Sequence, residues 1–171
     1  MRHTRTCLIL LLVASLFLFV SSPVLAQPKG GGIMEQDVFT PIAKGYDLVR
    51  DGKFEAAKYE FETAVKKDRY NPFALNNLAV LLEREGKLND ALASLKDATT
   101  HAAEYKDKVV QTCFAGGGCL AVKPVRAAAD KSEIAPIIQE NIKKLEAKMA
   151  AQKTPAPAGS PPPMTPPPKT K

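Results

Sequence analysis

The residues of this 171-residue chain that could do chemistry are few: three cysteines, two histidines and eighteen carboxylates. Cys113 and Cys119 stand symmetrically about Gly116, in the run Cys113-Phe114-Ala115-Gly116-Gly117-Gly118-Cys119. A hairpin centred on Gly116 would bring them face to face, and an oxidising compartment would let a disulfide persist there. Closing so short a loop stabilises by about 2 kcal/mol in the chain-entropy model, so a structural disulfide is expected. A thiol–disulfide redox centre is the rival. The usual oxidoreductase spacing has two residues between the cysteines; here there are five. His101 has no paired ligands at metal-binding spacing, and no Cys-x-x-Cys-His haem attachment occurs. There is neither a nucleophile motif nor a glycine-rich phosphate loop, and the acidic residues recur at helix-surface spacing, as on solvated faces. The expectation is a binding module, not an enzyme, with no cofactor and no metal.

The elements that must position these residues announce themselves by repetition. Gly52, Phe54, Ala57, Phe61 and Ala64 recur as Gly86, Leu88, Ala91, Leu95 and Ala98, each pair 34 residues apart. Self-similarity at that period is the mark of stacked helix–turn–helix units. Gly52 and Gly86 suit the positive φ of a helix C-terminal cap. Ala57 and Ala91 let helices approach, and Phe61 and Leu95 fill the space one turn on. Thr40-Pro41 and Asn71-Pro72 read as helix starts, a capping side chain followed by proline. The spacing predicts helices over about 41–51, 54–68 and 72–85, and a fourth from Leu88 that runs past Ala103. Apolar runs about the triple glycine predict a hairpin over 109–125. Ser132 can cap a last helix over 132–150, whose Ile134, Ile137, Ile138, Ile142, Leu145 and Met149 share one face. That helix is the natural cover for the apolar end of a short array.

These glycines, alanines and aromatics resemble the tetratricopeptide repeat family over about 39–105, under half the chain. The stretch Leu75-Asn76-Asn77-Leu78-Ala79-Val80-Leu81-Leu82 fits the family's first helix, and Gly45 keeps the small residue of that helix in the first unit. Pro41 and Lys44 depart from the pattern, and Arg69 stands where the family has a late proline. The resemblance implies an all-α fold, a two-repeat helical-hairpin solenoid (repeats about 38–71 and 72–105), to which the spacing read above adds a C-terminal capping helix and a small disulfide-closed hairpin. It also implies a protein or peptide partner, held on a concave groove by first-helix side chains. Carried over, these are Phe39, Ile42, Tyr46, Val49 and Arg50 in unit one, and Phe73, Asn76, Asn77, Val80, Glu83 and Arg84 in unit two. Phe39, Tyr46 and Phe73 could equally pack between helices. Asn77 matches an asparagine that bonds a bound peptide's backbone, so its replacement is expected to weaken binding and leave folding nearly unchanged. The lysines of a carboxylate clamp are missing: Ile42 and Tyr46 stand where lysine and asparagine would be.

The ends have other roles. Arg2 and Arg5, the apolar run Cys7–Val20 and the small residues before Gln27 read as a secretory signal peptide over 1–26, cleaved after Ala26. The apolar run is 14 residues, short of the roughly 20 that span a bilayer. The expected location is therefore periplasmic or secreted, with no stable membrane span after cleavage; an uncleaved inner-membrane anchor is the alternative. Residues 27–36 form a flexible lead-in and 151–171 a proline-rich tail, extended and semi-rigid. A structural envelope protein tethered by that tail is a further alternative. The net charge of +6 comes from the ends, since residues 35–150 hold 18 basic and 18 acidic residues. A nucleic-acid surface needs clustered positive charge on the fold itself, so no nucleic-acid partner is expected.

Overall fold

Gly52 and Gly86 take φ of +74° and +78°, and each ends a helix with the same pair of backbone bonds. Gly52 N–H donates to Val49 O and Lys53 N–H to Leu48 O; Gly86 N–H donates to Glu83 O and Lys87 N–H to Leu82 O. These are Schellman-type caps, which only a residue free to adopt the left-handed region closes without strain. The computed structural model describes residues 33–153. In it the four repeat helices are α1 (Gln36–Arg50), α2 (Phe54–Lys67), α3 (Pro72–Arg84) and α4 (Leu88–His101). A 3₁₀ turn (Ala102–Glu104) follows, then the antiparallel pair β1 (Asp107–Phe114) and β2 (Leu120–Ala128), and last α5 (Ile134–Lys153). The described residues are mostly helical, in helical hairpins, with a two-stranded sheet that comes between the second hairpin and α5 in chain order.

The two hairpins solve one packing problem with two pairs of side chains. A Cβ on Gly45 would stand 2.5 Å from Cε1 of Phe61, so α1 approaches α2 as closely as it does only because Gly45 has none. In the second hairpin the matching positions are Ala79 and Leu95. All of Phe61, Ala79 and Leu95 are fully buried, as are Ala57, Ala91, Ala64 and Ala98. In the second hairpin the small residue is larger and the large one smaller, and both are fully buried. Asn71 caps α3 by accepting the N–H groups of Phe73 and Ala74, both at 3.1 Å, with Pro72 at the first helical position. Ser132 caps α5 through Ala135 N–H and ties it back to Ala102 O.

Several boundaries differ from the sequence reading. Thr40 does not start α1; the helix begins at Gln36, and the Thr40 hydroxyl instead bonds back to Gln36 O at 2.7 Å. Pro41 lies within the helix. Helix α4 is no longer than α2, 14 residues each, because the 3₁₀ turn tightens the chain past His101. Residues 151–153 belong to α5 and not to the tail. The expected signal peptide, most of the expected lead-in and the proline-rich segment from 154 onward lie outside the described residues.

The disulfide expectation is corrected. Cys113 and Cys119 are free thiols. Phe114 pairs with Leu120 and Cys113 with Ala121, so the hairpin is centred one residue beyond Gly116 and the two cysteines are not opposite one another. Cys113 faces Tyr46 at the end of α1. Cys119 is buried against α5, with its thiol donating to Asn141 O at 3.5 Å.

Candidate functional site

Strand β2 lies along the face formed by α1 and α3, and side chains of the helices bond its backbone from Gly118 to Val122. Asn77 bonds both polar groups of Val122: its Nδ2 donates to Val122 O at 2.9 Å, and Val122 N–H donates to Asn77 Oδ1 at 2.8 Å. Two residues earlier, Leu120 N–H donates to Asn141 Oδ1 at 2.7 Å. Leu120 O accepts from Asn141 Nδ2 and from Asn76 Nδ2, each at 2.9 Å. The asparagines also bond one another, Asn141 Nδ2 to Asn76 Oδ1 at 2.8 Å. At the hairpin tip the Glu83 carboxylate accepts Gly118 N–H at 2.8 Å and Cys119 N–H at 2.9 Å. The spacing of two between Leu120 and Val122 reflects strand geometry: alternate residues turn their backbone groups to the same edge. An amide side chain donates and accepts at once, so it can replace a neighbouring strand at such a position.

Glu83 is 2% exposed yet charged. Burial pushes its carboxyl up, but the Lys148 ammonium at 2.8 Å and the N–H groups of Gly118 and Cys119 outweigh it and hold the pKa down to about 2. The glycine run at the tip follows from this contact, because a Cβ on Gly117 would run into the Glu83 carboxylate and Gly116 takes φ +83°. The rest of β2 is clamped to α1 by Lys123 and Asp47 at 2.7 Å and by Arg126 on Gln36. Asp107, at the base of β1, accepts Met34 N–H at 2.9 Å through Oδ1, while its buried Oδ2 has no partner. Burial raises its pKa.

Of the groove residues inferred from the resemblance, Asn76, Asn77 and Glu83 bond the chain's own hairpin, and Tyr46 and Arg50 line a cleft beside β1. Ile42, Tyr46, Val49, Phe73 and Val80 are buried, as are Asn76, Asn77 and Glu83. Phe39 is half-buried, and Arg50 and Arg84 are exposed. The expectation of an open concave groove is corrected, because β2 fills it. So is the expectation that Asn77 matters little for folding, since its side chain is fully buried and bonded to the backbone of Val122. Asn141 was missed by the sequence reading, although the signal was present: it interrupts the apolar stripe of α5 between Ile138 and Leu145, where a polar residue needs a buried partner.

Burial favours the protonated form of both thiols. Burial pushes Cys119 up to about 12, with the Glu83 charge adding to it. Burial also raises Cys113, against the opposing pull of the Tyr46 hydroxyl and Arg50. A thiol that stays protonated at neutral pH is a poor nucleophile. Among the described residues no group of His, Cys, Asp and Glu is arranged to hold a metal ion, and no helix is long and apolar enough to cross a membrane.

Comparison with known proteins yields one distant likeness. BBSome complex member BBS4 of Bos taurus is 29% identical over 137 residues, covering 71% of this chain and 25% of that protein. The chain thus spans about a quarter of the length of the curated relative it matches. No family model matches, and no solved structure matches.

Proposed function

We propose that this chain is an exported protein-interaction scaffold of the bacterial cell envelope, in which two tetratricopeptide-like units hold an extended strand in their concave groove. The observation that carries the reading is the bonding of Asn77 and Asn76 to the backbone of Val122 and Leu120. It is the way a repeat groove holds an extended peptide, with the strand supplied in cis. The groove is thereby spent on fixing β2, and a partner meets the surface that the seated hairpin presents. Export rests on Arg2, Arg5, the apolar run and Ala26, which suit cleavage by signal peptidase.

Affinity capture with the mature chain from envelope extracts tests it. One partner should be retained in fixed stoichiometry by the parent. It should be lost from Asn77→Ala at a temperature where far-ultraviolet circular dichroism still shows the helices. Equal capture by both chains would remove the seated hairpin from the mechanism. A mass corresponding to an intact Met1 start in the envelope fraction would replace export by anchoring.

A further inference from the structure

The outer edge of the hairpin is built differently from the inner one. Strand β1 has β2 on one side only, and Val110, Gln111 and Thr112 are exposed in succession, so both pleat faces and the edge are open there. Val110 is 57% and Phe114 61% exposed, an unusual showing of apolar surface on a strand that ends beside a fully bonded neighbour. The upstream half is guarded. Val109 N–H is taken by Glu133 at 2.6 Å, and the register slips between Val109 and Gln111; capping and a bulge are the usual ways to stop uncontrolled strand addition. The guard stops where the apolar residues begin, leaving Val110–Phe114 as the accessible stretch.

Beside that stretch lies an open cleft of about 400 Å³ lined by Tyr46, Arg50, Val110, Gln111, Thr112 and Cys113. Arg50 is exposed and, among the described residues, bonds the Gln111 amide oxygen at 3.5 Å. Exposed Lys108 lies on β1 itself, two residues before Val110. Among the described residues neither has a carboxylate partner. Asp47, one turn before Arg50 on α1, is engaged by Lys123, and Glu133 by Val109 N–H. Arg50 supplies the positive charge of the cleft, Tyr46 and Val110 give it apolar surface beside the polar Gln111 and Thr112, and among the described residues no further strand pairs with the outer edge of β1.

We infer that β1 takes a third strand at Val110–Phe114 from a partner whose docking segment is short, extended and acidic, with a carboxylate received by Arg50 in the cleft. This rests on the scaffold reading and deepens it. Main-chain bonds to the edge give affinity, and side-chain pockets give specificity. A second copy of this chain is disfavoured as the occupant, because Val110–Phe114 of its own β1 carries no acid to meet Arg50. The complementary charge on the partner is what raises the encounter rate and selects the sequence.

The probe is a blocked peptide of alternating valine, threonine and glutamate, eight residues long, titrated into the full mature chain with backbone amide resonances as the readout. Shifts should gather at Val110–Phe114 and saturate. Affinity should fall at least tenfold when every glutamate of the peptide is replaced by lysine. It should fall at least tenfold again when alternate peptide nitrogens are methylated. Arg50→Glu, an exposed position, should reverse the preference between the glutamate and lysine peptides; unchanged amide dispersion would show that it folds. Absent shifts at β1, equal binding of the two peptides, or a concentration-dependent dimer through β1 in sedimentation would each overturn the inference. The scaffold reading would survive all three if capture still depended on Asn77.

Discussion

Asn77 and Val122 form a closed pair: one buried amide side chain bonds both the N–H and the C=O of one strand residue, at 2.8 and 2.9 Å. This pair joins helix α3 to a strand 45 residues further along the chain. Replacing Asn77 by Ala leaves a donor and an acceptor of Val122 without partners in a buried place. Each such group costs about 1–3 kcal/mol, so Asn77→Ala should lose roughly 2–4 kcal/mol in urea unfolding. A loss under 0.5 kcal/mol, roughly the effect of an ordinary surface change, would mean that water replaces the side chain and that the strand is not held there.

Gly45→Ala should destabilise by about 1–3 kcal/mol, the usual cost of overpacking a filled core, because its Cβ meets the Phe61 ring at 2.5 Å. Phe61→Leu alone should also destabilise, by opening a cavity. Together they reproduce the Ala79 and Leu95 pairing of the second hairpin. The double variant should therefore be more stable than the sum of the single losses predicts, by at least about 1 kcal/mol of coupling. Simple additivity in a double-mutant cycle would show that the two hairpins do not share one packing solution.

Glu83 makes the molecule sensitive to acid in a definite window. Its folded pKa lies below the ordinary 4.5, at about 2. The stabilisation is complete above the unfolded value and is lost as pH falls from about 4.5 to about 2. A shift of that size corresponds to on the order of 3 kcal/mol. Asp107 acts in the opposite sense: burial raises its pKa, so it favours the folded state at low pH and loses that contribution as pH rises through its folded value. Glu83→Gln should lower stability at pH 7 and flatten the fall between pH 4.5 and 2, read from urea midpoints across that range. An acid limb as steep as the parent's would place the sensitivity elsewhere.

Much of this protein was legible in the sequence because its repeat chemistry is local. Gly52 and Gly86 end helices wherever the left-handed cap is required, Asn71-Pro72 starts one, and alanines at a fixed offset mark where two neighbouring helices touch. Each of these signals acts within a few residues, so sequence spacing alone carries it. The site was less accessible because its partners are far apart in the chain. Asn76, Asn77 and Glu83 were recognisable as groove residues, but nothing within 72–84 says that the strand they hold is 118–122. That was decided when the hairpin folded onto α1 and α3 and α5 closed over it, since a half-satisfied polar groove is stable only once every amide and carboxylate in it is bonded. The thiols show the same division. Two cysteines about a glycine run suggest a bond, but strand register places Cys113 opposite Ala121. That register was set by which backbone groups Asn77, Asn141 and Glu83 could reach, a tertiary constraint that no local spacing contains.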